Sequence, residues 1–129
     1  MKKNRKELID MRTLDKLIER AERKGEAVLN GRLVEYYGFG IEPYVGDLEE
    51  KYAVVIDGDT VALRHWGTQT LKINTVTKEV LDIYGESVSD RDSVNYMLRR
   101  YNMPYHVHYY PSREEFELHN DIEKVLEVM

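Results

Sequence analysis

Cysteine is absent from the chain. That absence removes disulfides, thiolate zinc sites and thiol catalysis together, and makes a reducing, cytoplasmic setting the expectation. No apolar run approaches the roughly 18 residues that a membrane-crossing helix needs. The opening Met1-Lys2-Lys3-Asn4-Arg5-Lys6 is charged and is followed by no hydrophobic segment, which argues against a secretory leader. Phosphate-binding loops are lacking too. Gly38-Phe39-Gly40 is too short for a dinucleotide fingerprint and sits in no strand–helix crossover. No serine occupies a nucleophile elbow. A helix-turn-helix is poorly supported because β-rich sequence separates the helical segments. Repeats, linkers and low-complexity tracts are missing as well.

Phenylalanine and tryptophan are scarce, at two and one, whereas tyrosine occurs ten times. Tyrosine suits positions where a ring is half buried and its hydroxyl is wet, either on the wet face of a sheet or in an interface. The length of 129 residues fits one domain, residues 1–129. Charge is unevenly spread. Residues 1–24 hold nine Lys/Arg against five Asp/Glu, and the remainder ten against nineteen. A basic head on an acidic body argues against direct DNA binding, which needs clustered positive charge. It permits the acidic body to face a basic partner groove, or simply to serve solubility.

Periodicity predicts an amphipathic helix over 4–24. Leu8, Met11, Leu14, Ile18 and Ala21 recur at spacings of three and four, and Gly25 ends the helix as a C-terminal cap. Its stripe suits packing on a sheet, with a dimer seam as the alternative. Residues 26–37 read as a hairpin around Asn30-Gly31. Residues 38–50 read as an acidic loop. A second hairpin turns at Asp57-Gly58, and strands follow near 69–74 and 79–84, giving an antiparallel meander over 26–84. Ser89 with Asp92 resembles a capping box for a middle helix whose face holds Val94, Met97, Leu98 and Tyr101. Tyr105–Tyr110 is strand-like. Ser112 and Glu115 then read as the start of a C-terminal helix with Phe116, Ile122, Leu126 and Met129 along one side. The expected fold class is α+β, an antiparallel sheet of about five or six strands packed by three helices. The expected core comprises Leu14, Ile18, Leu33, Val55, Leu63, Leu71, Ile73, Leu81, Ile83, Leu98, Val107, Phe116 and Ile122.

Several residue groups carry possible chemistry. His106 and His108 at i, i+2 on a strand project from one face and could share a metal. The third ligand would be His65, His119 or a carboxylate. The alternative is a polar strand face. Asp57 and Asp59 could hold Mg²⁺, although a tight turn explains Asp-Gly-Asp. Glu49-Glu50-Lys51 with Glu35 resembles part of a nuclease core, without diagnostic spacing. Arg91, Arg99 and Arg100, with Lys72 and Arg64, could bind an anion or pair with the acidic body.

The stretch from Thr60 to Tyr101 carries Trp66-Gly67-Thr68, Tyr84-Gly85-Glu86-Ser87 and Ser89-Asp90-Arg91-Asp92. On these pieces, about a third of the chain, it resembles a small domain of unknown function found in bacteriophages and mobile elements. That domain is distantly similar to the phage sponge proteins that sequester the cyclic nucleotide signal of Thoeris defence. Where the sponges have Ser-x-Thr-Thr, this chain has Ser87-Val88-Ser89-Asp90, so no ligand-binding residue is carried over. The resemblance implies a non-enzymatic anti-defence inhibitor that needs no cofactor. It would block a host defence protein, such as a CRISPR effector nuclease, from within the host cytoplasm. The expected contact surface is acidic and Tyr-rich, with Glu42, Asp47, Glu49, Glu50, Asp57 and Asp59. One alternative is a nucleotide sponge, formed by an oligomer and using Arg91 or Arg99. Another is a metal-dependent hydrolase using His106 and His108.

Overall fold

A computed structural model describes residues 10–121. The elements are α1 (Asp10–Lys24), β1 (Glu26–Glu35), β2 (Tyr44–Asp57), β3 (Thr60–His65), β4 (Thr68–Asn74), β5 (Val80–Ile83), α2 (Val88–Arg100), β6 (Tyr105–Tyr110) and β7 (Glu115–Asn120). Strands β1 to β5 form one antiparallel sheet in sequence order, and β6 and β7 form a separate hairpin. The architecture is α+β.

Local chemistry explains these elements. In α1 the stripe Leu14, Leu17, Ile18 and Ala21 is buried while Arg12, Lys16, Glu19 and Arg20 face water. Gly25 takes a left-handed φ of +86° and donates its N–H to the Ala21 carbonyl, which is the cap the sequence predicts. Across the sheet, Val54, Leu63 and Leu71 face one another in register, and all three are fully buried. The neighbouring row, Val55, Ala62 and Lys72, points to the opposite face, which stays partly wet. On that wet face Arg64 bridges Glu50 at 2.8 Å and Glu26 at 3.1 Å.

Helix α2 starts at Ser87, whose hydroxyl accepts from the Asp90 N–H at 3.1 Å. It ends in a Schellman motif. Asn102 has a φ of +51° and donates to Arg99, and Met103 donates to Leu98. Mid-helix, the Asn95 side-chain amide brackets Val107 of β6. It donates to the Val107 carbonyl at 3.0 Å and accepts from the Val107 N–H at 2.7 Å. The second hairpin is therefore tied to α2 by an amide that imitates a strand partner. Phe116 of β7 also packs against the core, over the backbone of Gly85.

Among the described residues, the buried side-chain atom without a hydrogen-bond partner is the Tyr101 hydroxyl, and burial pushes its pKa up. Replacing Tyr101 with Phe removes that orphan. Tyr101→Phe should leave stability unchanged or raise it by up to about 1 kcal/mol in urea unfolding. A clear loss would mean that the hydroxyl is satisfied in solution.

Several expectations are corrected here. Residues 26–37 are not a hairpin. β1 runs straight through Asn30-Gly31, because β2 is long enough to pair with it on both sides of that dipeptide. The loop expected at 38–50 is shorter, since β2 already begins at Tyr44. The helix expected from Ser112 is instead a turn followed by β7, with two helices rather than three among the described residues. Glu114 adopts a φ of +52° in that turn, which reverses the chain so that 115–120 pair with β6. Ile122, Leu126 and Met129 lie outside the described residues. The cap of α2 is Ser87 with Asp90, one step of two residues earlier than Ser89 with Asp92. Among expected core residues, Leu33 and Leu81 are exposed and Val55 is half-buried. Val55 lies on the wet face of the sheet, and Leu33 lies beyond the reach of β3.

Candidate functional site

Three regions stand out. The first is a projection of the sheet. Strand β3 pairs with β2 only from Tyr52 to Asp57. Beyond Tyr52, β1 and β2 continue alone, pairing Asn30 with Glu50 and ending with Glu35 opposite Tyr44. Where the sheet narrows, Lys51 is an extra residue on β2, a bulge. Gly31 makes room for it. A Cβ there would stand 3.1 Å from the Lys51 side chain. The resulting two-stranded arm exposes Leu33, Tyr37, Ile41, Tyr44 and Leu48, and Phe39 at its tip is 108% exposed. Exposed large apolar side chains concentrated in this way are unusual on a protein surface.

Acidic residues decorate the arm. Glu42 lies in its tip loop, and Asp47 and Glu49 are exposed on β2. Glu50 is different, because the bidentate contact with Arg64 holds its carboxyl below the usual range. Asp57 and Asp59 sit at the opposite end of the 14-residue strand β2, at its turn into β3. At ~3.3 Å per residue they lie tens of ångströms from the tip. The Asp57 carbonyl accepts from Thr60 and the Asp59 carbonyl from Thr75, so both serve the turn. The structure thus sets Glu42, Asp47 and Glu49 on the arm and Asp57 and Asp59 away from it. Glu35 and Glu50 lie at opposite ends of the arm's paired region, so the nuclease-like grouping is not assembled.

The second region is a cleft of about 500 Å³ lined by His65, Trp66, Thr68, Tyr84, Ser87 and Asp90, among others. His65 stacks on Tyr52, its neighbour across β2 and β3, with ring centroids 4.3 Å apart. Its Nδ1 lies 2.7 Å from Asp90 Oδ1, and both residues are buried. Burial pushes the Asp90 carboxyl up, but hydrogen bonds from His65 and the Glu86 N–H, with the Ser87 contact, outweigh it and hold the group below its ordinary range. The carboxylate therefore accepts, and His65 donates from Nδ1. Among the described residues no serine or threonine hydroxyl is hydrogen-bonded to His65, although Thr68, Thr70, Ser87 and Ser89 line the same cleft. All three sequence pieces of the phage-domain resemblance contribute to this cleft. The expected anion group does not: Arg91 pairs with Asp92 at 2.8 Å, Arg100 lies 3.5 Å from Asp15, and neither Arg91 nor Arg99 lines the cleft.

The third region is the outer face of the β6–β7 hairpin. The register sets His106 opposite His119 and His108 opposite Glu117. The ligand atoms of His106, His108 and His119 all lie within 4.8 Å of one another. Of the third ligands considered for His106 and His108, His119 lies beside the pair. His65 is buried beside Asp90 instead. His119 is one of the third ligands the sequence offers; the signal that singles it out is its pairing with His106, which a helix over that stretch conceals.

No family model, curated protein or solved structure matches the chain. Among the described residues no helix is long and apolar enough to cross a membrane.

Proposed function

We propose that this chain is a non-enzymatic binding protein that docks a partner protein through the β1–β2 arm. The observation that carries this reading is the concentration of exposed apolar and aromatic side chains around Phe39, beyond the part of the sheet that α1 and α2 cover. Such side chains supply the buried anchors of an interface, and flanking carboxylates steer a basic partner. The phage-domain resemblance supplies the context: the partner is a host defence protein, with a basic nucleic-acid channel of a CRISPR effector nuclease as the first choice. Target-DNA cleavage by a panel of RNA-guided nucleases would be measured with the protein and with two variants. Inhibition is expected for the protein itself. Phe39→Asp with Ile41→Asp should abolish it. Charge reversal at Asp47 and Glu49 should weaken it and flatten its salt dependence. Glu50 is left intact because of its tie to Arg64. Equal inhibition by all three proteins, or no inhibition of any effector, would sink the reading.

A nucleotide sponge is the second reading, favoured by the convergence of the resemblance pieces on one cleft. Against it, the cleft is lined by Glu86 and Asp90 and, among the described residues, by no lysine or arginine, a poor match for a polyanion. Native mass spectrometry of untagged protein separates the two, because a sponge carries or accepts a nucleotide adduct.

A further inference from the structure

We propose that the outer face of the β6–β7 hairpin is a divalent transition-metal site with His106, His108 and His119 as its three protein ligands. This is independent of the arm and of any partner it docks.

The geometry begins with backbone periodicity. Residues at i, i+2 on a strand share a face, so His106 and His108 stand side by side on β6. Antiparallel pairing sets His119 directly across from His106. The two Nε2 atoms of His106 and His108 are 3.0 Å apart. A tetrahedral ion with ligand bonds of about 2.0–2.1 Å holds its nitrogens roughly 3.3 Å apart. That pair is therefore already at coordination spacing. The widest separation in the trio, within 4.8 Å, closes by modest side-chain rotation on a half-exposed surface.

Two carboxylates flank the imidazoles. Asp121 Oδ1 contacts His106 Nδ1. Glu117 Oε1 lies 3.2 Å from His119 Nε2. A carboxylate on the far nitrogen of a metal-binding histidine fixes its tautomer and raises its basicity. Here the Asp121 contact leaves Nε2 of His106, beside Nε2 of His108, to face the ion, and Glu117 orients the His119 ring. A set of imidazoles without thiolate suits Zn²⁺, Ni²⁺ or Cu²⁺ rather than Mg²⁺ or Ca²⁺. Three protein ligands leave one position for water or for a group from another molecule. The rings pack edge to face, His106 on His108 at 4.9 Å and His108 on His119 at 4.6 Å. Placing three imidazoles this close on a wet face makes no use of burial, which is what a purely structural cluster would gain.

The test uses the full chain without an affinity tag, stripped with chelator and titrated calorimetrically with ZnCl₂ in a non-coordinating buffer. One equivalent is expected to bind with micromolar or tighter affinity. His119→Ala and His108→Ala should each abolish that step while leaving the thermal melt of the metal-free protein intact. Asp121→Asn should weaken it by about 10–100-fold, because it removes the orienting carboxylate and keeps all three ligands. Co²⁺ in place of Zn²⁺ should give the intense visible bands of a tetrahedral site. Absence of a stoichiometric step, or binding that persists unchanged in both histidine variants, overturns the proposal. A Co²⁺ spectrum of octahedral type overturns the three-histidine tetrahedral geometry.

Discussion

Gly85→Ala is expected to destabilise the protein by about 2–3 kcal/mol, an overpacking cost at the upper end of its usual range. A Cβ at this position would stand 2.2 Å from Phe116 Cε1 and within 2.6 Å of two further ring atoms. The ring lies flat against a backbone stretch that only glycine leaves open. The β6–β7 hairpin docks here, so relief by swinging the ring outward would strip a contact that joins β7 to the core. The decisive measurement is a double-mutant cycle by chemical denaturation. Phe116→Ala alone should also cost a few kcal/mol, because it empties the seat. In the Phe116→Ala background, Gly85→Ala should cost less than about 0.5 kcal/mol, since the added methyl then fills vacated space. If the alanine costs the same in both backgrounds, the clash lies elsewhere.

Asp90→Ala is expected to cost about 3 kcal/mol. It removes the acceptor for His65 and for the Glu86 N–H, and leaves buried donors unpaired. Asp90→Asn should cost less, because its amide oxygen can still accept one of those bonds. The same residue predicts how stability responds to acid. Its folded-state pKa is lowered, whereas in the unfolded chain an aspartate titrates near ~3.9. The stabilisation is therefore fully present above about pH 4 and is lost as pH falls through the lower folded value. Glu50, lowered mainly by its hydrogen bonds from Arg64, acts in the same direction. Urea midpoints between pH 6 and pH 2.5 should fall less steeply in Asp90→Asn than in the parent. Parallel acid slopes would show that the carboxylate gains nothing from its partners.

Much of the fold was legible because it rests on local signals. The α1 stripe, the Gly25 cap and strands β3 to β6 follow from spacing and turn residues alone. The failures share one physical cause, which is long-range pairing overriding a local preference. Asn30-Gly31 has the composition of a two-residue turn, yet β2 extends past it and Gly31 serves to accommodate the Lys51 bulge. Ser112 and Glu115 have the spacing of a helix start, yet the pairing of 115–120 with β6 wins. The second failure had a functional consequence. Placing 112–129 on a helix left His119 only one of several candidate third ligands, because the pairing that sets it opposite His106 was not legible. The arm was hidden in a similar way. Residues 26–37 read as a closed hairpin and 38–50 as a loop, because nothing in that stretch says that β2 begins at Tyr44 and pairs with β1 as far as Glu35.

The end of β3 at His65 also bears on how the molecule keeps to itself. Strand β1 is the outermost of its sheet, and past Tyr52 the far side of β2 has no strand beside it among the described residues. The arm therefore offers backbone edges on both sides, a template on which a second copy could stack. Its side chains are apolar enough to reward such stacking. Asp47 and Glu49, together with Glu42 at the tip, place like charges on any copy that approaches in the same way. The carboxylates proposed to attract a basic partner would, by the same repulsion, hold identical arms apart at high concentration. Neutralising them to probe binding would then carry a second effect, a loss of solubility arising from the arm itself.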